Sequence, residues 1–258
     1  MDVPRALENW GTRSLELLSA ALANDSRIVA GVATIYVLYV ASNWGINRRP
    51  SVPRSVRILY NVVISLYSLY YALSLGAAIA RHVSAHSLWH ATCSPDSVTG
   101  ELAALYALNV VTRVLEFTDT VFIVHSSHPL TLLHCWHHVA TFVLAHVQVL
   151  DHTPAQWLTL LVNAWVHVAM YAYYALVASG RRPQWKRAVT VAQIVQFVLI
   201  LGVYGALFVG RASGRVECYS SPRAMYTGFA ILSSYLILFL RFYAQTYGEQ
   251  RASKQKGA

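Results

Sequence analysis

The chain has 258 residues, of which 56% are hydrophobic and only 12% charged, with a formal net charge of +9. An ordinary soluble domain carries about 25% charged residues, so the composition excludes one and leaves no room for a second, soluble domain. Apolar runs of transmembrane length, roughly 17–25 residues, fall at about 28–44, 58–80, 102–124, 131–150, 157–178, 188–209 and 225–247. The expectation is an all-α polytopic membrane protein of seven spans, one integral membrane domain over 1–258. Residues 1–26 are expected as a lumenal N-terminal segment without a cleavable signal peptide, with a short amphipathic helix before span 1; residues 248–258 are expected as a cytosolic tail.

The basic residues sit in loops on alternating sides. Arg48, Arg49, Arg54, Arg57, Arg181, Arg182, Lys186, Arg187, Arg241, Arg251, Lys254 and Lys256 fall on one side, and Arg5, Arg13, Arg27, Arg81, Arg211, Arg215 and Arg223 on the other. The richer side is expected to be cytosolic. This distribution marks topology rather than nucleic-acid binding. Cys93 and Cys218 then lie in lumenal loops, where disulfides persist, and a Cys93–Cys218 bridge is expected. Asn24-Asp25-Ser26 is a glycosylation sequon on that side, too close to span 1 to be used.

Ionisable groups in hydrocarbon are costly and mark cavities or pathways. Four successive spans carry polar sets at helical spacing, where residues three and four apart share a face. Span 3 has Arg113, Glu116 and Thr120, with Asp119 at the edge. Span 4 opens with His134, His137 and His138. Span 5 carries Asn163, His167, Met170 and Tyr174, flanked by Tyr171 and Tyr173. Span 6 carries Thr190, Gln193 and Gln196. At about 1.5 Å per residue, His138 lies roughly 10 Å from the cytosolic end, Glu116 about 12 Å, Gln193 about 8 Å and His167 about 16 Å. All four sets fall in the cytosolic half, which predicts one buried site open to the cytosol.

Blander readings compete. Buried Asn, Gln and Tyr also serve as interhelical glue, and Arg113 with Glu116 would make a register-setting ion pair. For the histidines, an H-x-x-H-H box resembles one box of membrane di-iron desaturases and hydroxylases. His82, His86, His90, His146 and His152 fall at the lumenal side, however, leaving too few ligands near His134. The other chemistry is acid–base and nucleophilic, with histidine as base or covalent nucleophile. Cys135 is a rival nucleophile at the edge of the histidine face. A seven-helix transporter is a further alternative. A retinal pigment needs a lysine within a span, and Lys186, Lys254 and Lys256 all lie outside.

The stretches RVLEFTDT (113–120), HCWHH (134–138), NAWVHVAMYAYY (163–174) and TVAQIVQ (190–196), in that order, resemble the ELO family of very-long-chain fatty acid elongases. The stretch GRRPQWKRAVTVAQIVQF is most similar to plant and algal members. The resemblance implies spans 2–7 closed into a helical barrel around an acyl tunnel. It implies condensation of an acyl-CoA with malonyl-CoA to 3-oxoacyl-CoA, CO2 and CoA, with no bound cofactor and no metal. It implies His137 as the acyl-accepting nucleophile, His134 and His138 shaping the site, and His167 acting on the malonyl or product carbonyl. Asn163, Gln193 and Tyr174 would position the thioester, with Arg113, Glu116, Asp119, Tyr171 and Gln196 in support.

Two departures stand out. Arg113 replaces the family's usual Lys, keeping charge with a different hydrogen-bond geometry. The loop HSSHP lacks the usual basic cluster, which shifts candidate CoA-phosphate contacts to Arg181, Arg182, Lys186 and Arg187 or to the 48–57 loop, cations that a purely topological role would also explain. The terminal Lys254-Gln-Lys256-Gly-Ala resembles a dilysine retrieval signal of the endoplasmic reticulum. Expected partners are the bilayer, both CoA substrates, the reductase and dehydratase of an elongation cycle, and a second copy as a homodimer.

Overall fold

A computed structural model describes residues 21–22, 24–46, 51–98, 100–126 and 128–255, with side chains to Gly248. The N-terminal segment through residue 20, Arg48, Arg49, and the side chains of Arg251, Lys254 and Lys256 lie outside the described residues, and with them the retrieval-signal tail.

Among the described residues, seven long helices follow one another: α1 Ser26–Asn43, α2 Arg54–Ala85, α3 Gly100–Val124, α4 Leu132–Leu150, α5 Gln156–Ala178, α6 Lys186–Ala212 and α7 Pro222–Gln255. A short helix, Leu88–Cys93, and a 3-10 turn, Pro95–Ser97, lie between α2 and α3. Among the described residues, five helices are long and apolar enough to cross a membrane: α1, α2, α5, α6 and the Pro222–Gly248 part of α7. The two that fall short of that apolarity are α3 and α4. They carry Arg113, Glu116 and Asp119, and His134, His137 and His138, so the polar content of the site itself lowers their hydropathy. The molecule is an all-helical, polytopic membrane protein.

The helices pack in a definite order: α2 on α3, α3 on α4, α4 on α7, α7 on α6, α6 on α5, and α5 back on α2. Helix α1 packs against α4 and α3. Three apolar clusters cement these contacts. Tyr71, Leu75, Tyr106 and Ala164 join α2, α3 and α5. Leu144, Phe197, Ile200, Leu232 and Tyr235 join α4, α6 and α7. Val29, Val110 and Phe142 join α1, α3 and α4. Outward faces are apolar too, with Leu38, Leu59, Leu66, Leu199 and Val209 exposed, as expected of helices whose surroundings are lipid rather than water.

The loops fasten each end. At one end, Cys93 and Cys218 are joined by a disulfide, and Tyr219 N donates to Cys93 O at 2.9 Å. Asp151, which caps the C-terminus of α4, accepts from Arg223 and Ser221 at the start of α7. At the other end, Ser51 N donates to His125 O at 3.2 Å, and Arg54 Nε donates to Ala178 O at 2.7 Å. There α5 ends on Gly180 at φ +84°, a left-handed conformation in which a side chain would collide with the Arg54 guanidinium.

Two outcomes follow from these fastenings. The disulfide closes a sequence separation of 125, so Cys93→Ser is expected to cost about 2–5 kcal/mol. Thermal unfolding in detergent should show it, with the double Cys93→Ser/Cys218→Ser variant no worse than either single. The Asp151 carboxyl is held below the ordinary carboxylate range, chiefly by the hydrogen bond from Arg223. A carboxylate depressed in the folded state stabilises above its unfolded value of about 3.9 and loses that stabilisation as pH falls through its folded value. Asp151→Asn should therefore lower the unfolding midpoint at pH 7, and the gap from the parent should close as the pH is taken down through the acid range.

Candidate active site

Helix α3 turns Asn109, Arg113, Glu116 and Thr120 inward, at i, i+4, i+7 and i+11, and all four are buried. The Arg113 guanidinium is fully engaged. Nε and Nη2 donate to Asn109 Oδ1 at 3.2 and 2.7 Å. Nη1 reaches both Glu116 oxygens at 3.0 and 2.8 Å. Nη2 also donates to Asn163 Oδ1 on α5 at 3.2 Å. Glu116 Oε1 in turn lies 3.3 Å from His167 Nδ1, also on α5. A buried ion pair survives desolvation only when its remaining polar atoms are satisfied; here two asparagines and a histidine satisfy them.

The histidine box occupies the first turns of α4. Thr131 caps the helix, its hydroxyl accepting from His134 N at 3.2 Å. The rings of His134 and His138 lie 4.3 Å apart, and those of His137 and His138 5.7 Å. His134 Nε2 is 2.9 Å from Thr120 Oγ1, which is 2.9 Å from the Tyr36 hydroxyl of α1. On the far side, Tyr235 of α7 stacks near His137 at 4.8 Å and donates to the His137 carbonyl at 3.1 Å. Asp119 Oδ2 accepts from Tyr171 OH at 2.5 Å, and Tyr60 of α2 packs its ring on Tyr171 at 6.4 Å.

A cavity of about 650 Å³ begins at this cluster. His137, Asn109, Arg113, Asn163 and Gln196 line its polar part, and Leu144, Phe197, Ile200 and Leu232 line its apolar wall. A second cavity of about 510 Å³ shares Gln148, Tyr204 and Gly228 with the first and extends to Cys218 and Arg211 at the disulfide end. Nδ1 of His137, Nδ1 of His138 and Oε1 of Gln196 are buried with no hydrogen-bond partner among the described residues. Native buried polar atoms are seldom left so. Orphaned nitrogen and amide oxygen atoms beside a cavity fit a site whose partners come from a ligand.

The sequence-predicted residues divide into groups. His137, Arg113, Asn163 and Gln196 line the cavity. Glu116 and His167 lie behind them in the Arg113 network, and His134 and His138 lie beside His137 through ring contacts. Gln193 donates to Met170 Sδ at 3.4 Å, and Tyr174 is 45% exposed; neither is among the lining residues. Arg181, Arg182, Lys186 and Arg187 are exposed at the histidine end. Arg187 is engaged there, Nε donating to Tyr243 OH at 2.8 Å with the guanidinium over the Tyr243 ring. Cys135 is a buried free thiol and does not line the cavity. His82, His86 and His90 stack together at the disulfide end. Among the described residues, no group of three or more His, Cys, Asp or Glu side chains is set to hold a metal ion.

Asn109, Tyr36 and Tyr235 are site residues that sequence reading missed. Asn109 stands one turn before Arg113, so helical spacing could have found it. Tyr36 and Tyr235 lie on helices whose sequences carry no polar stripe at those positions.

Most of the chain is similar to known proteins. Residues 21–256 match the family described as GNS1/SUR4 (ELO). The chain is 37% identical over 243 residues to "Putative fatty acid elongase 2" of Schizosaccharomyces pombe, covering 90% of this chain and 67% of that one. It is 35% identical over 258 residues to "Putative fatty acid elongase 1" of the same yeast, covering 96% and 77%. It is 28% identical over 233 residues to "Fatty acid elongase A" of Dictyostelium discoideum, covering 89% and 85%. A match over nearly the whole chain, with relatives above one third identity, means that this protein belongs to the GNS1/SUR4 family.

Proposed function

We infer that this protein is a fatty acid elongase that condenses an acyl-CoA with malonyl-CoA through an acyl-histidine intermediate. One observation carries the chemistry: His137 lines the polar end of a largely apolar cavity, and its buried Nδ1 has no hydrogen-bond partner among the described residues. A neutral imidazole nitrogen attacks the acyl thioester carbon, and the thiolate of CoA leaves and takes up a proton. Malonyl-CoA then loses CO2. The resulting enolate attacks the acyl carbon, the imidazole departs, and 3-oxoacyl-CoA two carbons longer is released. Splitting one difficult step into two is the general advantage of a covalent nucleophile.

The neighbouring groups suit these steps. Arg113 occupies Asn163 Oδ1, which leaves the Asn163 amide protons for a carbonyl oxygen that gains charge. Glu116 faces His167 Nδ1, so that nitrogen carries the proton and Nε2 is left as an acceptor. His167 Nε2 then stands as a base at the malonyl unit. Gln196 takes the positioning part first expected of Gln193 and Tyr174, since Gln196 lines the cavity and the other two do not.

The same reading extends to the whole molecule, a single membrane domain of seven spans. The closed order of helix contacts supports α2–α7 as a barrel around the acyl chain, with α1 outside. Its histidine end faces the cytosol of the endoplasmic reticulum, where Arg181, Arg182 and Lys186 are placed to meet CoA phosphates and Arg187 is held by tyrosine. The product passes to a reductase and dehydratase, and two copies pair as a homodimer.

The test is condensation by membranes given a series of acyl-CoAs and labelled malonyl-CoA. His137→Ala should lose at least about 100-fold in rate, the scale of a lost nucleophile or base, with unchanged unfolding temperature. Equal rates for parent and variant would remove His137 from the mechanism, and no condensation by the parent with any acyl-CoA would remove the elongase reading.

A further inference from the structure

The helix outside the closed order of contacts reaches the histidine box. Tyr36 on α1 is buried, stacks on Phe117 at 4.1 Å, and sets its hydroxyl 2.9 Å from Thr120 Oγ1. Thr120 is fully buried and lies 2.9 Å from His134 Nε2. The three groups form an unbroken chain from α1 through α3 to α4. Phe117, the ring under Tyr36, also packs edge-on against His138 at 6.5 Å.

Hydrogen-bond inventory gives this chain a direction. A phenol is a donor that finds its best acceptor in an oxygen, and sulfur accepts only weakly. The oxygen at hydrogen-bond distance from the phenol is Thr120 Oγ1, at 2.9 Å, so the Tyr36 proton goes to it. The Thr120 proton then goes to His134 Nε2, since a neutral imidazole nitrogen is an acceptor. His134 is left protonated on Nδ1, with its ring held against His138.

We propose that Tyr36 and Thr120 are positioning residues, which fix the tautomer and orientation of His134 and through its ring contact the packing of His138 and His137. Helix α1 is then part of the catalytic assembly rather than a membrane anchor alone. The kinetic part of the test rests on the elongase reading; the spectroscopic part does not.

The experiment uses the full-length protein in detergent micelles with 15N-labelled histidine rings. In the parent, His134 should show a protonated Nδ1 and an unprotonated, hydrogen-bonded Nε2. Thr120→Val should move that Nε2 resonance or mix the tautomers, and Thr120→Ser should restore the parent pattern. In the condensation assay, Tyr36→Phe and Thr120→Val should each lower kcat by about 3- to 10-fold, the worth of one hydrogen bond. KM should hold, and Thr120→Ser should stay near the parent in both kcat and unfolding temperature. An Nε2–H tautomer of His134 in the parent, or a His134 spectrum indifferent to Thr120→Val, would overturn the relay. Parent kcat in both Tyr36→Phe and Thr120→Val would overturn its positioning role. A parent without condensation activity would instead count against the elongase reading, and the ring spectra would still decide the relay.

Discussion

A charge pair held inside an apolar helix bundle sets the terms for the rest of this protein. Arg113 and Glu116 sit three residues apart on α3, both buried. An ion pair away from water is tolerated only if every remaining donor and acceptor finds a partner. Asn109 completes the guanidinium from the same helix. Asn163 completes it from α5, and His167, also on α5, meets the Glu116 carboxylate. The pair therefore decides which face of α5 turns inward. Since α5 packs against both α2 and α6, it also sets where the cavity begins. The polar site is a consequence of neutralising that pair within a surrounding of Leu, Ile, Val and Phe.

The histidine box is organised differently. Its rings are held largely by one another and by aromatic neighbours, with Thr120 on one side and Tyr235 on the other. Among the described residues, two of its imidazole nitrogens have no hydrogen-bond partner. The contrast is chemical: the Arg113 guanidinium is saturated with hydrogen bonds, whereas the box keeps hydrogen-bonding capacity beside the cavity. In the proposed reaction the first holds substrate-facing amides in place and the second makes and breaks the covalent bond. The apolar wall beyond, from Leu144 to Ile200 and Leu232, is where an acyl tail would gain from leaving water.

Much of this was legible in the sequence, because helical periodicity states which residues share a face. The inward stripe of α3, the three-histidine turn of α4 and the Asn163–His167 pair of α5 are all readable at i, i+3 and i+4. Periodicity does not state how far each helix is rotated about its own axis. Gln193 and Gln196 differ by about 60° around the helix and one turn in depth, and packing of α6 against α7 turns Gln196 toward the cavity. Tyr171 and Tyr174 are separated in the same way; Tyr171 is buried on Asp119 and Tyr174 is exposed. The part played by Tyr36 and Tyr235 was illegible because a lone tyrosine in an apolar span has no pattern to betray its partner. Hydropathy also undervalues α3 and α4, since the residues that make the site are the ones that make those helices less apolar.

The most direct measurement is to incubate the purified protein with a long-chain acyl-CoA in the absence of malonyl-CoA, and to map any added mass by peptide sequencing. The account predicts one acyl group on His137, removed when malonyl-CoA is supplied. Acylation of Cys135 instead, or no covalent adduct in a preparation that condenses efficiently, would contradict it.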